Sequence, residues 1–323
     1  MWQILVMESM HQAGLRILRG AANVVCAWEH SPSEVMRRLE TADAVIVRTK
    51  PFGRDALAVA KCLKVIGKHG TGVDNIDVQA AARSGIVVVY TPHEHVESVA
   101  EHVLGLMLAL TKRISSADRA LHAGRNYSRE NFVGVELHGK CLGIVGAGRI
   151  GFCVAEKCRQ CFSMRVLAYD PGLSVEKRDQ VRAAGVVLVS ELVELLQQAD
   201  VVSLHVPLTQ RTRNMIGAEE LAQMKTSSYL INAARGGIVD EEALHQALVR
   251  GQLAGAGIDV FNVEPPLTSN PLIALDSVCA TPHIALSTSE ALARLACEVA
   301  RDVLRVLTGK KPVNAIGPLP LPR

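Results

Sequence analysis

The segment Gly143-Ile144-Val145-Gly146-Ala147-Gly148-Arg149-Ile150-Gly151 runs an apolar strand pattern into a G-x-G-x-x-G, near the middle of a 323-residue chain. Gly146 permits a tight turn, Gly148 lets the backbone approach a pyrophosphate, and Gly151 lets the next helix pack against the strand. The helix N-terminus offers free N–H groups and the positive end of its dipole to phosphates. Asp170 follows Gly151 by nineteen residues and closes the apolar run Val166-Leu167-Ala168-Tyr169. An acidic side chain at that point accepts hydrogen bonds from an adenosine ribose. The spacing predicts a dinucleotide site. The plainer alternative is a strand–turn–helix of structural use only, with Asp170-Pro171 as a turn opener.

Four more residues fall just after later strand patterns, where ligands bind in open α/β sheets. They are Arg235 in Asn232-Ala233-Ala234-Arg235-Gly236-Gly237, Asp259 in Gly257-Ile258-Asp259-Val260-Phe261, Glu264 before Pro265-Pro266, and His283 in Thr281-Pro282-His283-Ile284. Reduction of a 2-oxo acid by a nicotinamide needs a cation for the carboxylate, best a planar guanidinium. It needs an acid near neutral pH for the carbonyl oxygen, and a carboxylate beside that acid favours its charged form. Arg235, His283 and Glu264 supply this set. Taken singly, each has a bland reading, as a surface arginine, a loop histidine and a solvated glutamate.

Positioning these residues takes two β-α series. In the first, strand patterns at 4–6, 24–28, 44–47, 65–67 and 86–89 alternate with helical spacing at 12–19, 33–40, 54–60 and 78–84. In the second, strands fall at 142–145, 166–169, 187–189, 201–205, 229–232, 257–260 and 278–280. Such alternation predicts parallel sheets with helices on both faces. Residues 97–113 form a helix pattern apolar on nearly every face, which predicts burial between other elements. Residues 115–138 are polar and irregular and are expected to be an extended surface connection, and a last helix at 288–308 is expected to return to the first domain.

Net charge is +3 and no basic tract is concentrated, which argues against nucleic acid or an anionic membrane as partner. No apolar run approaches a membrane span, and the N-terminus lacks a charged segment followed by an apolar one, so a cytoplasmic location is expected. Eight cysteines occur without tandem C-x-x-C pairs. Cys153, Cys158 and Cys161 fall on the helix after the glycine loop and are read as buried free thiols in a reducing compartment, with no metal.

In order, these segments resemble the D-isomer-specific 2-hydroxyacid dehydrogenase family, which includes phosphoglycerate dehydrogenases and hydroxypyruvate and glyoxylate reductases. The resemblance covers nearly the whole chain and also runs through Gly70-Thr71-Gly72-Val73-Asp74-Asn75-Ile76-Asp77, Ser98-Val99-Ala100-Glu101-His102 and His205-Val206-Pro207-Leu208-Thr209. It implies an α/β fold of two doubly wound parallel-sheet domains, a Rossmann cofactor domain at 97–286 inserted into a discontinuous flavodoxin-like substrate domain at 1–96 and 287–323. It implies a homodimer, with the helix at 97–113 in the dimer and hinge region. By resemblance Arg235 binds the substrate carboxylate and carbonyl, His283 is the acid/base, Glu264 tunes it and Asp259 faces the nicotinamide. Backbone at Thr71, Gly72 and Val73 would hold the carboxylate. Gly146, Gly148, Arg149, Ile150, Gly151, Asp170, His205, Pro207, Ala233 and Ala234 would line the cofactor. Asp170 repels a 2′-phosphate and no arginine stands beside it at Pro171-Gly172, which favours NAD over NADP.

Substrate identity is less determined. Arg48 and Lys68 follow strands of the first domain and are candidates for a substrate phosphate, as in phosphoglycerate dehydrogenases, or ordinary surface cations. His93 and His95 stand where the family commonly has a glycine and an asparagine. Both are expected near the cleft mouth, where they would alter substrate contacts; two histidines alone do not make a metal site. The chain ends soon after its last helix, so an appended regulatory domain is not expected. Hydroxypyruvate or glyoxylate reduction remains an alternative to phosphoglycerate oxidation. So does a non-enzymatic NAD-sensing role like that of the C-terminal binding protein corepressors. Formate oxidation is disfavoured, because that branch carries glutamine where Glu264 stands.

Overall fold

The computed structural model describes residues 1–125 and 127–317. Residue 126, within the stretch expected to be irregular, and residues 318–323, within the expected discontinuous domain, lie outside the described residues. Thirteen strands occur among the described residues: β1 Trp2–Val6, β2 Ala22–Cys26, β3 Ala44–Val47, β4 Val65–Lys68, β5 Val87–Val89, β6 Cys141–Val145, β7 Arg165–Tyr169, β8 Val187–Leu188, β9 Val201–Leu204, β10 Tyr229–Asn232, β11 Gly255–Ile258, β12 Val278–Ala280 and β13 Ala315–Ile316. The chain divides into two compact units, one of Met1–His95 with the segment starting at Ser287, the other Val96–Leu286.

The first unit holds a sheet of order β13-β5-β4-β3-β1-β2. Its first five strands pair in parallel, and their burial on both faces accounts for their unbroken apolar runs. Side chains alternate across the sheet. Ile4, Val6, Ile46 and Val89 pack with Leu15, Leu18, Val299 and Val303 on one face, and Leu5, Val45, Val47 and Val88 with Leu39 and Phe52 on the other. The helix Ser289–Leu307, capped by Thr288 on the Ala291 N–H, thus completes the first face. The parallel sheet expected here carries one antiparallel edge, where β13 runs against β5.

The second unit holds an all-parallel sheet of order β12-β11-β10-β9-β6-β7-β8. Strand order reverses between β6 and β9, which makes a crevice at their carboxyl ends. The helix Val96–Thr111 lies on this sheet, with Ala100, Val103, Leu106, Met107 and Leu110 buried against Leu142, Ile144 and Ile231. The expected irregular connection is instead begun by a helix, Ile114–His122. Its buried positions are the small Ser116 and Ala120, and it starts after Arg113 in the left-handed region without a capping side chain. Both features erase the usual sequence signature of a helix. Cys158 is buried as expected, but Cys161 is exposed, which corrects its reading as a buried thiol.

Candidate active site

The glycine loop joins β6 to the helix Arg149–Phe162. Gly146 has φ +93, and a Cβ there would lie 2.7 Å from the His205 carbonyl oxygen, so the loop touches the segment leaving β9. A Cβ on Gly151 would lie 2.1 Å from the Gly146 carbonyl oxygen, which ties the helix to the turn. Gly148 differs: a Cβ there meets nothing within 4 Å. It is the N-cap residue, and no side chain caps the helix it begins. The Arg149 end therefore presents free N–H groups to open space, as a diphosphate requires. Arg149 is exposed and Ile150 half-buried.

Asp170, at the end of β7, accepts from the Ala147 N–H through Oδ2 (2.9 Å) and from the Gly172 N–H through Oδ1 (3.0 Å). One carboxylate thus fixes the glycine loop and its own turn, while each oxygen keeps capacity for a further donor. His205 Nε2 lies 2.9 Å from Ser203 Oγ. Burial of the ring pushes its pKa down to about 4, so the imidazole is neutral at pH 7. Pro207 beside it is exposed.

Arg235 is half-buried on the turn after β10. Buried Asn232 shapes that turn, its Nδ2 donating to the Arg235 carbonyl (3.0 Å) and its Oδ1 accepting from the Ala234 N–H (3.1 Å). Arg235 Nη1 donates to the Ala234 carbonyl (2.6 Å), and Ala233 and Ala234 are half-buried.

His283, on the turn after β12, adopts φ +54, a conformation unusual for a non-glycine residue. Its Nδ1 donates to Glu264 Oε2 at 2.7 Å, and both side chains are more than a third exposed. Burial raises the Glu264 pKa, but the His283 hydrogen bond, the Phe261 N–H on Oε1 (3.1 Å) and the His283 charge outweigh it and leave a net lowering. Because a carboxylate only accepts, Nδ1 carries a proton and Nε2 is left to face a substrate.

Asp259 lies beneath this turn and is fully buried. Its Oδ1 accepts from Thr281 Oγ1 (2.7 Å) and the Ile284 N–H (2.9 Å), its Oδ2 from the Ala285 N–H (2.9 Å), and its carbonyl from the His283 N–H (2.7 Å). Burial raises its pKa, and the bonds from His102, Thr281, Ile284 and Ala285 together lower it below the usual range. Since the Thr281 hydroxyl proton is spent on Asp259, His102 Nε2 donates to Thr281 Oγ1 at 3.0 Å. His102 and Thr281 belong to motifs read in the sequence, but their support of the His283 turn was not legible there, because it depends on contacts between a helix and two strand ends.

In the first unit, Gly70 and Thr71 are stapled to Thr91: the Gly70 N–H donates to Thr91 Oγ1 (2.9 Å) and Thr71 Oγ1 to the Thr91 carbonyl (3.1 Å). Gly72 and Val73 follow, half-buried. His95 is buried with a ring nitrogen 3.0 Å from Thr71 Oγ1, and His93 is exposed. Lys68 is not an ordinary surface cation. It is 7% exposed, and its Nζ donates to Asn75 Oδ1 (2.6 Å) and to the Arg48 carbonyl. Arg48 is half-buried, with Nη2 donating to Ser287 Oγ at 3.2 Å. Glu8 folds this loop by accepting from the Arg48 (2.6 Å) and Thr49 (2.8 Å) N–H groups. No group of three or more His, Cys, Asp or Glu among the described residues is placed to hold a metal.

Residues 104–285 match the NAD binding domain of the D-isomer specific 2-hydroxyacid dehydrogenases. The chain belongs to this family. D-3-phosphoglycerate dehydrogenase of Methanocaldococcus jannaschii is 41% identical over 317 residues, which is 98% of this chain and 59% of that protein. The chain thus spans well under two thirds of that relative's length. Glyoxylate reductase of Thermofilum pendens is 38% identical, with 96% of this chain and 93% of that protein covered. A crystal structure of D-lactate dehydrogenase from Aquifex aeolicus complexed with NAD and lactic acid aligns with a TM-score of 0.83 at 30% identity, covering 98% of this chain and 99% of that one. NAD is the family's cofactor for this domain. The uncapped helix start, the open Gly148 and the Asp170 carboxylate fit it.

Proposed function

We propose that the protein is an NAD-dependent dehydrogenase that interconverts a D-2-hydroxy acid and its 2-oxo acid. The observation that carries this reading is the 2.7 Å bond from His283 Nδ1 to Glu264 Oε2 on a strand-end turn of the family's NAD-binding domain. In the reductive direction the Arg235 guanidinium holds the substrate carboxylate and polarises the carbonyl. Bound NADH supplies the hydride for C2. His283 gives its Nε2 proton to the forming alkoxide, while Glu264 holds the ring's tautomer. Asp259 fixes the His283 turn from below, and Arg149, Ile150, Asp170, His205, Pro207, Ala233 and Ala234 border the cofactor.

We assign the unit built on β6 to β12 to the cofactor and the other unit to the substrate. Thr71, Gly72 and Val73 receive the carboxylate, and the staples to Thr91 and His95 support that loop. With Lys68 spent internally, Arg48 is the remaining cation of the pair for a substrate phosphate. That keeps 3-phosphoglycerate as one candidate beside hydroxypyruvate and glyoxylate, and the relatives point the same two ways.

The protein is proposed to be a cytoplasmic homodimer. Its eight cysteines are all free, and no helix among the described residues is long and apolar enough to cross a membrane. Ile114, Leu121, Val133 and Val135 are exposed along one stretch of the second unit, which supports a covered surface there. The test is NADH consumption over a panel of 2-oxo acids with and without a phosphate group. Turnover of at least one is expected. NADH binding with no turnover of any would favour a sensing role instead.

A further inference from the structure

On the first unit, the helix Ser289–Leu307, the Glu94 loop and the segment before β13 enclose a cleft of about 480 Å³. None of its lining residues has a part in the proposed reaction, and none belongs to the unit that carries His283. Most acceptors around it are already engaged. Both Asp302 oxygens accept backbone N–H groups, from Val313 and Asn314, at 2.8 Å. Glu94 Oε2 and its carbonyl take Arg294, at 3.2 Å and 2.9 Å. Glu298 Oε1 accepts from Asn314 Nδ2 at 2.8 Å.

What remains unspent is of the opposite kind. Arg301 is exposed and has no ion-pair or hydrogen-bond partner among the described residues. Arg305 uses Nε on the Lys311 carbonyl (2.8 Å) and lies 3.9 Å from Asp302 Oδ1, which leaves its Nη donors over, and Arg294, paired with Glu94 through Nε and Nη2, keeps Nη1. Glu298 Oε2 is buried with no partner. Burial, with the charges of Glu94 and Asp302, pushes the Glu298 pKa up to about 7, against the Asn314 bond. Near neutral pH the carboxyl is therefore often protonated, and Oε2–H becomes a donor. A cleft whose free valences are guanidinium and carboxyl protons selects a ligand that only accepts.

We propose that this cleft is a binding site for a small oxyanion, phosphate or carboxylate in class, held by Arg301 with Arg294, Arg305 and the Glu298 carboxyl. An anion there disfavours ionised Glu298, so binding and protonation help each other. Affinity is highest below pH 7 and falls as the pH rises through the Glu298 titration.

Cys297 lines the cleft and is partly exposed, whereas Cys62 and Cys161 are exposed elsewhere. Alkylation by iodoacetamide, followed at each cysteine by peptide mapping of the full chain, therefore reports occupancy with built-in controls. Sulfate is the probe, since its charge is constant between pH 6 and 9, with chloride at equal ionic strength as reference. At pH 6.5 sulfate should slow Cys297 several-fold and leave Cys62 and Cys161 unchanged. Arg301→Ala should abolish the protection. Glu298→Gln should retain it and weaken its decline with pH. Equal Cys297 rates in sulfate and chloride, or protection that survives Arg301→Ala, would overturn the proposal.

Discussion

His283 Nδ1 donates to Glu264 Oε2 at 2.7 Å, while the His283 backbone is held at φ +54 by its N–H bond to the Asp259 carbonyl. One residue is thus fixed twice, by a carboxylate that sets its tautomer and by a buried strand end that sets its backbone. A proton donor on a turn gains from both, because misplacement by about 1 Å can cost on the order of a hundredfold in rate.

Glu264→Gln separates these roles. The amide can still accept from Nδ1, but it withdraws the negative charge. The kcat for reduction should fall by about tenfold, because the protonated ring loses its counter-ion. The measurement is steady-state reduction at saturating NADH, and an unchanged kcat would show that Glu264 only orients.

Asp259→Asn tests the support. An amide cannot accept from Thr281, Ile284 and Ala285 together, so stability should fall by about 1–3 kcal/mol. The Asp259 pKa is lowered in the fold, so its contribution is present above the ordinary carboxylate range and lost as pH falls through the lowered value. The gap between native and variant denaturant midpoints should therefore hold from pH 8 to 5 and shrink below about pH 4.

The glycine loop offers a paired test. Gly151→Ala drives a Cβ to 2.1 Å from the Gly146 carbonyl oxygen and should destabilise the fold by about 1–3 kcal/mol or more. Gly148→Ala meets open space at φ −67 and should leave stability within about 0.5 kcal/mol of native. It should nonetheless weaken NADH, read by fluorescence titration, because the methyl occupies the diphosphate's approach.

Lys68 and Arg48 should now behave differently. Lys68→Met leaves Asn75 and the Arg48 carbonyl short of a donor and should cost about 1–3 kcal/mol of stability. Arg48→Ala should raise KM for a phosphorylated 2-oxo acid about tenfold, the value of one charge-assisted bond, with little change for one lacking phosphate.

Much of this was legible in the sequence because it depends on local spacing. The glycine loop, Asp170 and the strand-end positions of Arg235 and His283 follow from periodicity and from where α/β sheets bind ligands. What escaped depends on distant contacts. Lys68 reads as a surface cation until Asn75 folds over it, and nothing in the sequence pairs Thr71 with His95. The helix Ile114–His122 buries only small residues and starts without a capping side chain, so its start is not announced. The two-residue β13 is too short for any period to show.

The central claim is that His283 supplies the proton. The direct measurement is steady-state turnover of the best 2-oxo acid by native protein and His283→Ala, beside NADH affinity for both. A loss of about 10²–10⁴-fold in kcat with unchanged NADH binding is expected. Turnover within a few-fold of native would contradict it.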